Sequence, residues 1–326
     1  MALEASASRH VYYRRAFGLP ESTPRTQAGL RCSLCVRECM LGQGERGFCN
    51  VRTHLDGQIQ GGDGSGAFLQ SFHEPLPADC VSRSVCGLTQ EDEGIQMGVF
   101  YESCSFDCLY CPNWHFKRAE QSQPVSADSL LKGVDPSTRC VRFYGGDPAP
   151  QIPHALETAR RILEEQSLAG VRICWETNAS VDPELLDEMA ELSCQTGGVL
   201  RIDLKAYDDH IHRALCGVSN ERTLRNFERV CSRRTESGKR PTIVASTPLV
   251  PGYIDPYEVD QIARFIAKID RAIPYILLAS IPDFAMSDLP STSEQHAWQA
   301  EQAARAAGLS QVYVGNRHAL GPSYLE

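Results

Sequence analysis

The run C-S-F-D-C-L-Y-C sets Cys104, Cys108 and Cys111 at C-x3-C-x2-C spacing. Three thiolates so spaced can hold three corners of a cubic iron–sulfur cluster and leave the fourth iron without a protein ligand. An iron with an open coordination position is a place where chemistry happens, whereas a fully ligated cluster mostly moves electrons. The other readings are a zinc knuckle or cysteines that merely pack. A structural zinc site wants four ligands, and the nearest fourth candidate, His115, lies four residues beyond Cys111. The features further along the chain favour the open cluster.

A second set precedes it. In C-S-L-C-V-R-E-C-M-L-G-Q-G-E-R-G-F-C, residues Cys32, Cys35, Cys39 and Cys49 stand at C-x2-C-x3-C-x9-C. Four thiolates this close, with glycines in the last gap, point to a metal site. An auxiliary [4Fe–4S] cluster and a four-thiolate zinc both fit, because soft thiolates in a tetrahedral set suit either. Redox chemistry nearby favours the cluster, which would relay electrons, ligate substrate or donate sulfur; zinc would staple a poorly cored segment. Cys80 and Cys86, at C-x5-C, read as extra ligands, as neighbours of the active site, or as two ordinary loop thiols. Cys140, Cys174, Cys194, Cys216 and Cys231 lie in apolar patterns, where packing is the default role, and Cys216 beside Gly217 is the one to watch. Trp114 and His115 read equally as facing a ligand or as packing, and the histidines elsewhere have no metal spacing.

These residues must be positioned by something. The chain has 326 residues, 42% apolar and 22% charged, enough for one large core with an appendage or for two domains. Its net charge of −9 argues against sequence-independent nucleic-acid binding, which needs phosphate-neutralising cations. Fourteen clustered cysteines with no apolar leader at the start read as reduced thiols of a cytoplasmic protein, not as a secreted disulfide framework. The most apolar stretch, Ile273 to Pro282, is too short for a membrane span.

Residues 1–94 read as a cysteine-rich, metal-organised N-terminal extension of turns and short strands, with little helical period. Residues 95–326 read as alternating strands and amphipathic helices. Strands are expected at Q-M-G-V-F-Y-E, V-R-F-Y, V-R-I-C-W-E, V-L-R-I-D-L, T-I-V-A-S-T, Y-I-L-L-A-S and V-Y-V-G; helices are expected near 154–166, after Asp182–Pro183, and over 223–233, 256–268 and 293–307. Such alternation predicts an α/β fold with a parallel sheet and right-handed crossovers, a partial (β/α)6 TIM-like barrel. In such barrels the reactive groups sit in the loops after strand C-termini. The cysteine loop follows the first strand, Gly145–Gly146 the second, Thr177–Asn178 the third and Lys205 the fourth, so all of them fall on one face.

With those motifs in place the chain resembles the radical S-adenosylmethionine (SAM) enzymes, and most closely the branch of pyruvate formate-lyase activating enzyme and the AmmeMemoRadiSam-type proteins. The resemblance runs from about residue 95 to the C-terminus, and the N-terminal cysteine run is similar to the second group. It implies a [4Fe–4S] cluster on Cys104, Cys108 and Cys111 that binds the amino and carboxylate groups of SAM. One-electron reduction then yields methionine and a 5′-deoxyadenosyl radical that abstracts hydrogen from substrate. It places Tyr110 near the adenine and matches Gly145, Gly146, Asp147 and Pro148 to a G-G-E-P segment, with Asp one methylene shorter. It matches Thr177 and Asn178 to T-N-G, with Ala179 for glycine, and Asp203, Leu204 and Lys205 to a D-L-K segment that contacts SAM. Residues 211–224 read closely like the activating enzymes. V-P-G-Y-I-D (250–255) resembles a loop completing the SAM and substrate mouth, and V-Y-V-G-N is similar to the AmmeMemoRadiSam-type C-terminus.

The activity implied is hydrogen abstraction from a small molecule, a peptide or a protein side chain, with a reductant such as flavodoxin or ferredoxin as partner. An alternative is activation of a glycyl-radical enzyme, favoured by residues 203–224. A third is a non-catalytic iron–sulfur or zinc scaffold, which accounts for the cysteines but not for G-G-D-P and D-L-K at strand ends.

Overall fold

The computed structural model describes residues 3–76, 80–88, 93–118, 122–233 and 242–322. Two short antiparallel pairs, β1 (Leu30–Arg31) with β2 (Met40–Leu41) and β3 (Thr53–Leu55) with β4 (Gln58–Gln60), frame the N-terminal cysteines. The main sheet then runs in chain order: β5 (Leu69–Pro75), β6 (Ile95–Tyr101), β7 (Thr138–Gly145), β8 (Arg172–Thr177), β9 (Val199–Asp203), β10 (Thr242–Leu249), β11 (Tyr275–Ala279) and β12 (Val312–Gly315). Strands β6 to β12 are parallel and β5 joins antiparallel to β6. Helices α2 (Ala127–Lys132), α3 (Ile152–Glu164), α4 (Pro183–Thr196), α5 (Asp209–Cys216), α6 (Glu221–Ser232), α7 (Pro256–Ile269) and α8 (Glu294–Ala306) fill the crossovers. The result is six βα units closed by a seventh parallel strand, a partial TIM-like barrel as the alternation predicts.

Strand alternation sorts the residues between two faces. Val141, Phe143, Ile173, Trp175, Leu200 and Ile202 are buried in one cluster with Leu156, Ile162, Leu186 and Met189 of α3 and α4. The intervening positions carry Arg142, Glu176 and Arg201, so the barrel interior is polar where the outer layer is oily. Helix starts follow local chemistry: the Asp182 side chain accepts from Glu184 N ahead of Pro183, and Asp255 accepts from Glu258 N ahead of Pro256. Gly197, at φ 70°, ends α4 in the left-handed conformation that glycine adopts at least cost.

The N-terminal stretch holds the expected turns and short strands but also a helix that was not expected. Helix α1 (Leu3–Ala16) opens the chain. Its buried stripe is Ser6, His10 and Arg14, polar residues at helical spacing, so no apolar period announced it. The stretch is also tied to the barrel. Cys35, Ala67 and Leu69 belong to the main core, Val36 N donates to Ser180 O at 2.8 Å, and Asp182 N donates to Leu34 O at 2.9 Å. Residue 95 begins a strand whose neighbour in the sheet, β5, precedes it in sequence.

Candidate active site

The cysteine loop leaves the C-terminal end of β6 and is gripped on several sides. Asp107 N and Leu109 N donate to the carbonyls of Cys216 and Leu215 at the end of α5, at 3.0 and 2.9 Å. Gly146 N and Asp147 N donate to Tyr101 O and Ser103 O at 2.9 and 2.7 Å. Arg37 Nε, from the N-terminal run, donates to Ser105 O at 2.7 Å. Gly145 and Gly146 are explained by this contact. Gly145 has φ 117°, and a Cβ on Gly146 would lie 2.2 Å from Ser103 O. The absent side chains let β7 press against the cysteine loop.

A cavity of about 330 Å³ opens at this end of the barrel. Cys104, Cys108, Cys111, Tyr110, Gly145, Gly146, Asp147, Thr177, Asn178, Asp203 and Lys205 all line it. The structure thus brings every barrel residue of the expected site to one wall system. Asn316 and His318, beyond V-Y-V-G, join them, whereas Gly252, Tyr253 and Asp255 of V-P-G-Y-I-D line a separate surface depression with Tyr207 and Tyr257. Of the β10 end, Pro248 reaches the cavity. Trp114 and His115 stack on each other with ring centroids 4.2 Å apart, and Trp114 packs on Phe284 and Phe17, so theirs is a packing role.

Asp147 organises the second and third strand ends. One oxygen accepts from Ala149 N at 2.8 Å; the other accepts from Asn178 N at 2.7 Å and Thr177 Oγ1 at 3.1 Å. Burial nevertheless raises its pKa to about 6. Asn178 Nδ2 donates to Ser105 Oγ at 3.0 Å and approaches the Cys104 sulfur at 3.9 Å, which also accepts from Phe106 N at 3.3 Å. Across the cavity Lys205 Nζ lies 2.7 Å from Asp203 Oδ2, and Ser246 Oγ donates to Asp203 Oδ1 at 2.5 Å. Burial pushes Asp203 up, but Lys205 and Arg201 overrule it and hold its pKa at about 2.

Soft thiolates, N–H groups directed at sulfur and nearby cations suit an iron–sulfur cluster. Cys108 is drawn down to about 6, first by its hydrogen bond with Cys216, 3.6 Å away, then by Lys205 and Lys117. Burial pushes Cys111 up to about 11 and Cys104 well above the usual thiol range, so ligation must displace those protons. Among the described residues no three His, Cys, Asp or Glu side chains converge on a single ion.

Several functional residues escaped the motifs. Asp107, within the cysteine run, is buried under Lys117 at 2.7 Å, His10 at 3.3 Å and Arg14 at 3.4 Å. Lys117 and Arg14, with the hydrogen bond to His10, hold its carboxyl well below the ordinary range against the cost of burial. Arg14 and Arg37 sandwich the Phe48 ring at 3.5 and 3.6 Å, beside Cys49. Nothing in the spacing links these residues; only the fold does. Inside the barrel Glu176 pairs with Arg201 at 2.6 Å and with Arg142 at 3.6 Å. Charged residues set among apolar ones, Arg142 in V-R-F-Y, Glu176 in C-W-E, and Arg201 and Asp203 in V-L-R-I-D, are a signal for that ladder. Cys32, Cys35, Cys39 and Cys49 draw together beneath α1, where burial raises Cys35, Cys39 and Cys49, each further opposed by neighbouring thiols. Cys49 and Cys104 line one small cavity of about 70 Å³ together with Arg14 and Lys117.

A family model described as the radical SAM superfamily matches residues 99–268. The chain is 26% identical over 202 residues to pyruvate formate-lyase 1-activating enzyme of Escherichia coli K12, covering 58% of this chain and 77% of the relative. It is 23% identical over 296 residues to an uncharacterized protein of Methanocaldococcus jannaschii, covering 88% and 81%. A putative glycyl-radical enzyme activating enzyme of the same organism is 26% identical over 177 residues, covering 53% and 62%. In fold it is similar to Streptococcus suis SuiB bound to S-adenosylmethionine, at TM-score 0.52 and 12% identity, covering 66% of this chain and 49% of that one.

Proposed function

The chain belongs to the radical SAM superfamily, and from that premise we propose that Cys104, Cys108 and Cys111 hold a [4Fe–4S] cluster that cleaves SAM in the cavity they line. When bound and reduced, the cluster supplies the electron that splits SAM into methionine and a 5′-deoxyadenosyl radical, which takes hydrogen from substrate. The observation that carries this is the convergence of the three cysteines with Gly145–Asp147, Thr177–Asn178 and Asp203–Lys205 on one cavity. The chain's own residues bind and orient. Lys205, held by Asp203, offers a cation to the carboxylate of SAM. The 145–147 and 177–178 turns, which line the same cavity, would face its amino end, and the Tyr110 ring would lie near the adenine. Asp147 fixes the two turns to each other, so its role is positioning.

The relatives that are activating enzymes support a protein substrate, and glycyl-radical activation is the second reading. We place hydrogen abstraction from a small molecule, peptide or protein side chain first, because the extra cysteines lie ahead of the barrel and not between β6 and β7. Membership of an enzyme family sets the non-catalytic scaffold aside. Cys32, Cys35, Cys39 and Cys49 would hold an auxiliary [4Fe–4S] cluster, a reading supported by the cavity that Cys49 shares with Cys104. Zinc in that set, found by metal analysis, would overturn it. A flavodoxin or ferredoxin would supply the electron. No helix among the described residues is long and apolar enough to cross a membrane.

Anaerobic reconstitution should give a brown protein that forms 5′-deoxyadenosine from SAM under strong reductant, with Cys108→Ala abolishing turnover. Fully iron-loaded protein that leaves SAM intact would overturn the assignment.

A further inference from the structure

Four cysteines used by neither set meet at the opposite end of the barrel interior. Cys140 and Cys174 stand on adjacent strands at positions that alternate with the outward core residues Val141 and Ile173. Cys80 and Cys86 flank the short 3-10 turn Val81–Ser84, which is tightened by Arg83 N to Cys80 O at 3.0 Å and Cys86 N to Ser82 O at 3.0 Å. Val81 and Val85 of this turn pack with Val199, Val244 and Ile276, closing the floor of the barrel. An Arg172 guanidinium N–H donates to Cys86 O and ties the turn to β8.

The four thiols line one chamber of about 40 Å³. A single water needs roughly 10–15 Å³ of such room, so the chamber has space for more than one. Cys140 is buried, and the other three keep part of their surface open. The walls also carry Arg142 and Arg172 against the single carboxylate of Glu176, a surplus of positive charge beside four soft donors. Ordinary packing cysteines need no cations, whereas a thiolate-ligated cluster carries negative charge that buried arginines offset. The Arg142–Glu176 pair roofs the chamber, and Glu176 also faces the SAM cavity.

We propose that Cys80, Cys86, Cys140 and Cys174 ligate an iron–sulfur cluster at the floor of the barrel, separated from the SAM cavity by the Arg142–Glu176 pair. The four thiols would give up their protons on ligation.

The test is the iron and sulfide content of the full chain, reconstituted anaerobically with ferrous iron and sulfide. The Cys80→Ala/Cys86→Ala and Cys140→Ala/Cys174→Ala proteins are compared with the parent, with thermal melts reporting the fold. Both pairs should lose the same complement of iron and sulfide, one cluster's worth, while keeping the electron paramagnetic resonance signal that SAM perturbs. The loop pair leaves the strand residues themselves unchanged, so it reads the site even if the strand pair folds poorly. Unchanged iron and sulfide in the loop-pair protein, or zinc at this site in the parent, would overturn the proposal. Replacing Cys104, Cys108 and Cys111 should do the reverse, removing the SAM-responsive signal and sparing the floor iron, so the two readings fail separately.

Discussion

Two carboxylates on the cavity wall have opposite titration signs. Asp203, held at about 2 by Lys205 and Arg201, binds fewer protons folded than unfolded. Its contribution, roughly 2 kcal/mol, is present above the unfolded carboxyl range and is lost as pH falls through 4 towards 2. Asp147, raised to about 6 by burial, is favoured in its protonated form, so its cost grows as pH rises from about 4 through 6. Urea unfolding against pH should therefore show Asp203→Asn flattening the slope below pH 4 and Asp147→Asn flattening an opposite slope between 4 and 6. Lys205→Met takes one of two cations from the buried Asp203, leaving Arg201 at 3.7 Å, and should cost about 1.5–3 kcal/mol. The double change with Asp203→Asn should recover much of that loss; no recovery would mean that Lys205 acts through something other than its ion pair.

At the scale of elements, the end of β7 and helix α1 hold the cysteine loop from two sides. Gly146→Ala puts a methyl where Ser103 O already stands at 2.2 Å, so the loop must move. The expected result is a protein that folds but retains less iron after gel filtration, with weaker SAM binding by calorimetry. Arg14 reaches Asp107 at 3.4 Å and the Phe48 ring at 3.5 Å, joining α1, the loop and the N-terminal cysteine run. Arg14→Ala should speed iron loss in a chelator challenge. Arg14→Lys should rescue poorly, because an ammonium cannot stack and fork at once.

Across the whole molecule, the N-terminal segment and the barrel share a core through Cys35, Ala67 and Leu69, and share a sheet through the β5–β6 pair. Denaturation should therefore show near- and far-ultraviolet circular dichroism changing together. Two resolved transitions would mean that the N-terminal extension unfolds on its own.

Composition, cysteine spacing and the strand–helix rhythm were enough to give the barrel, the family and the loop cysteines, because those features are local or periodic and every strand-end motif falls on one face of a parallel sheet. Helix α1 was hidden because its buried stripe is polar. The Asp107 cation cluster, Cys216 beside Cys108 and the four thiols at the floor were hidden for a different reason. Their partners lie on separate strands, turns and helices, and no spacing along the chain encodes which side chains meet across a barrel. Only tertiary closure brings Cys80 and Cys86 to Cys140 and Cys174, since strand alternation turns the latter two inward and the apolar floor contacts of Val81 and Val85 pull the turn up against them.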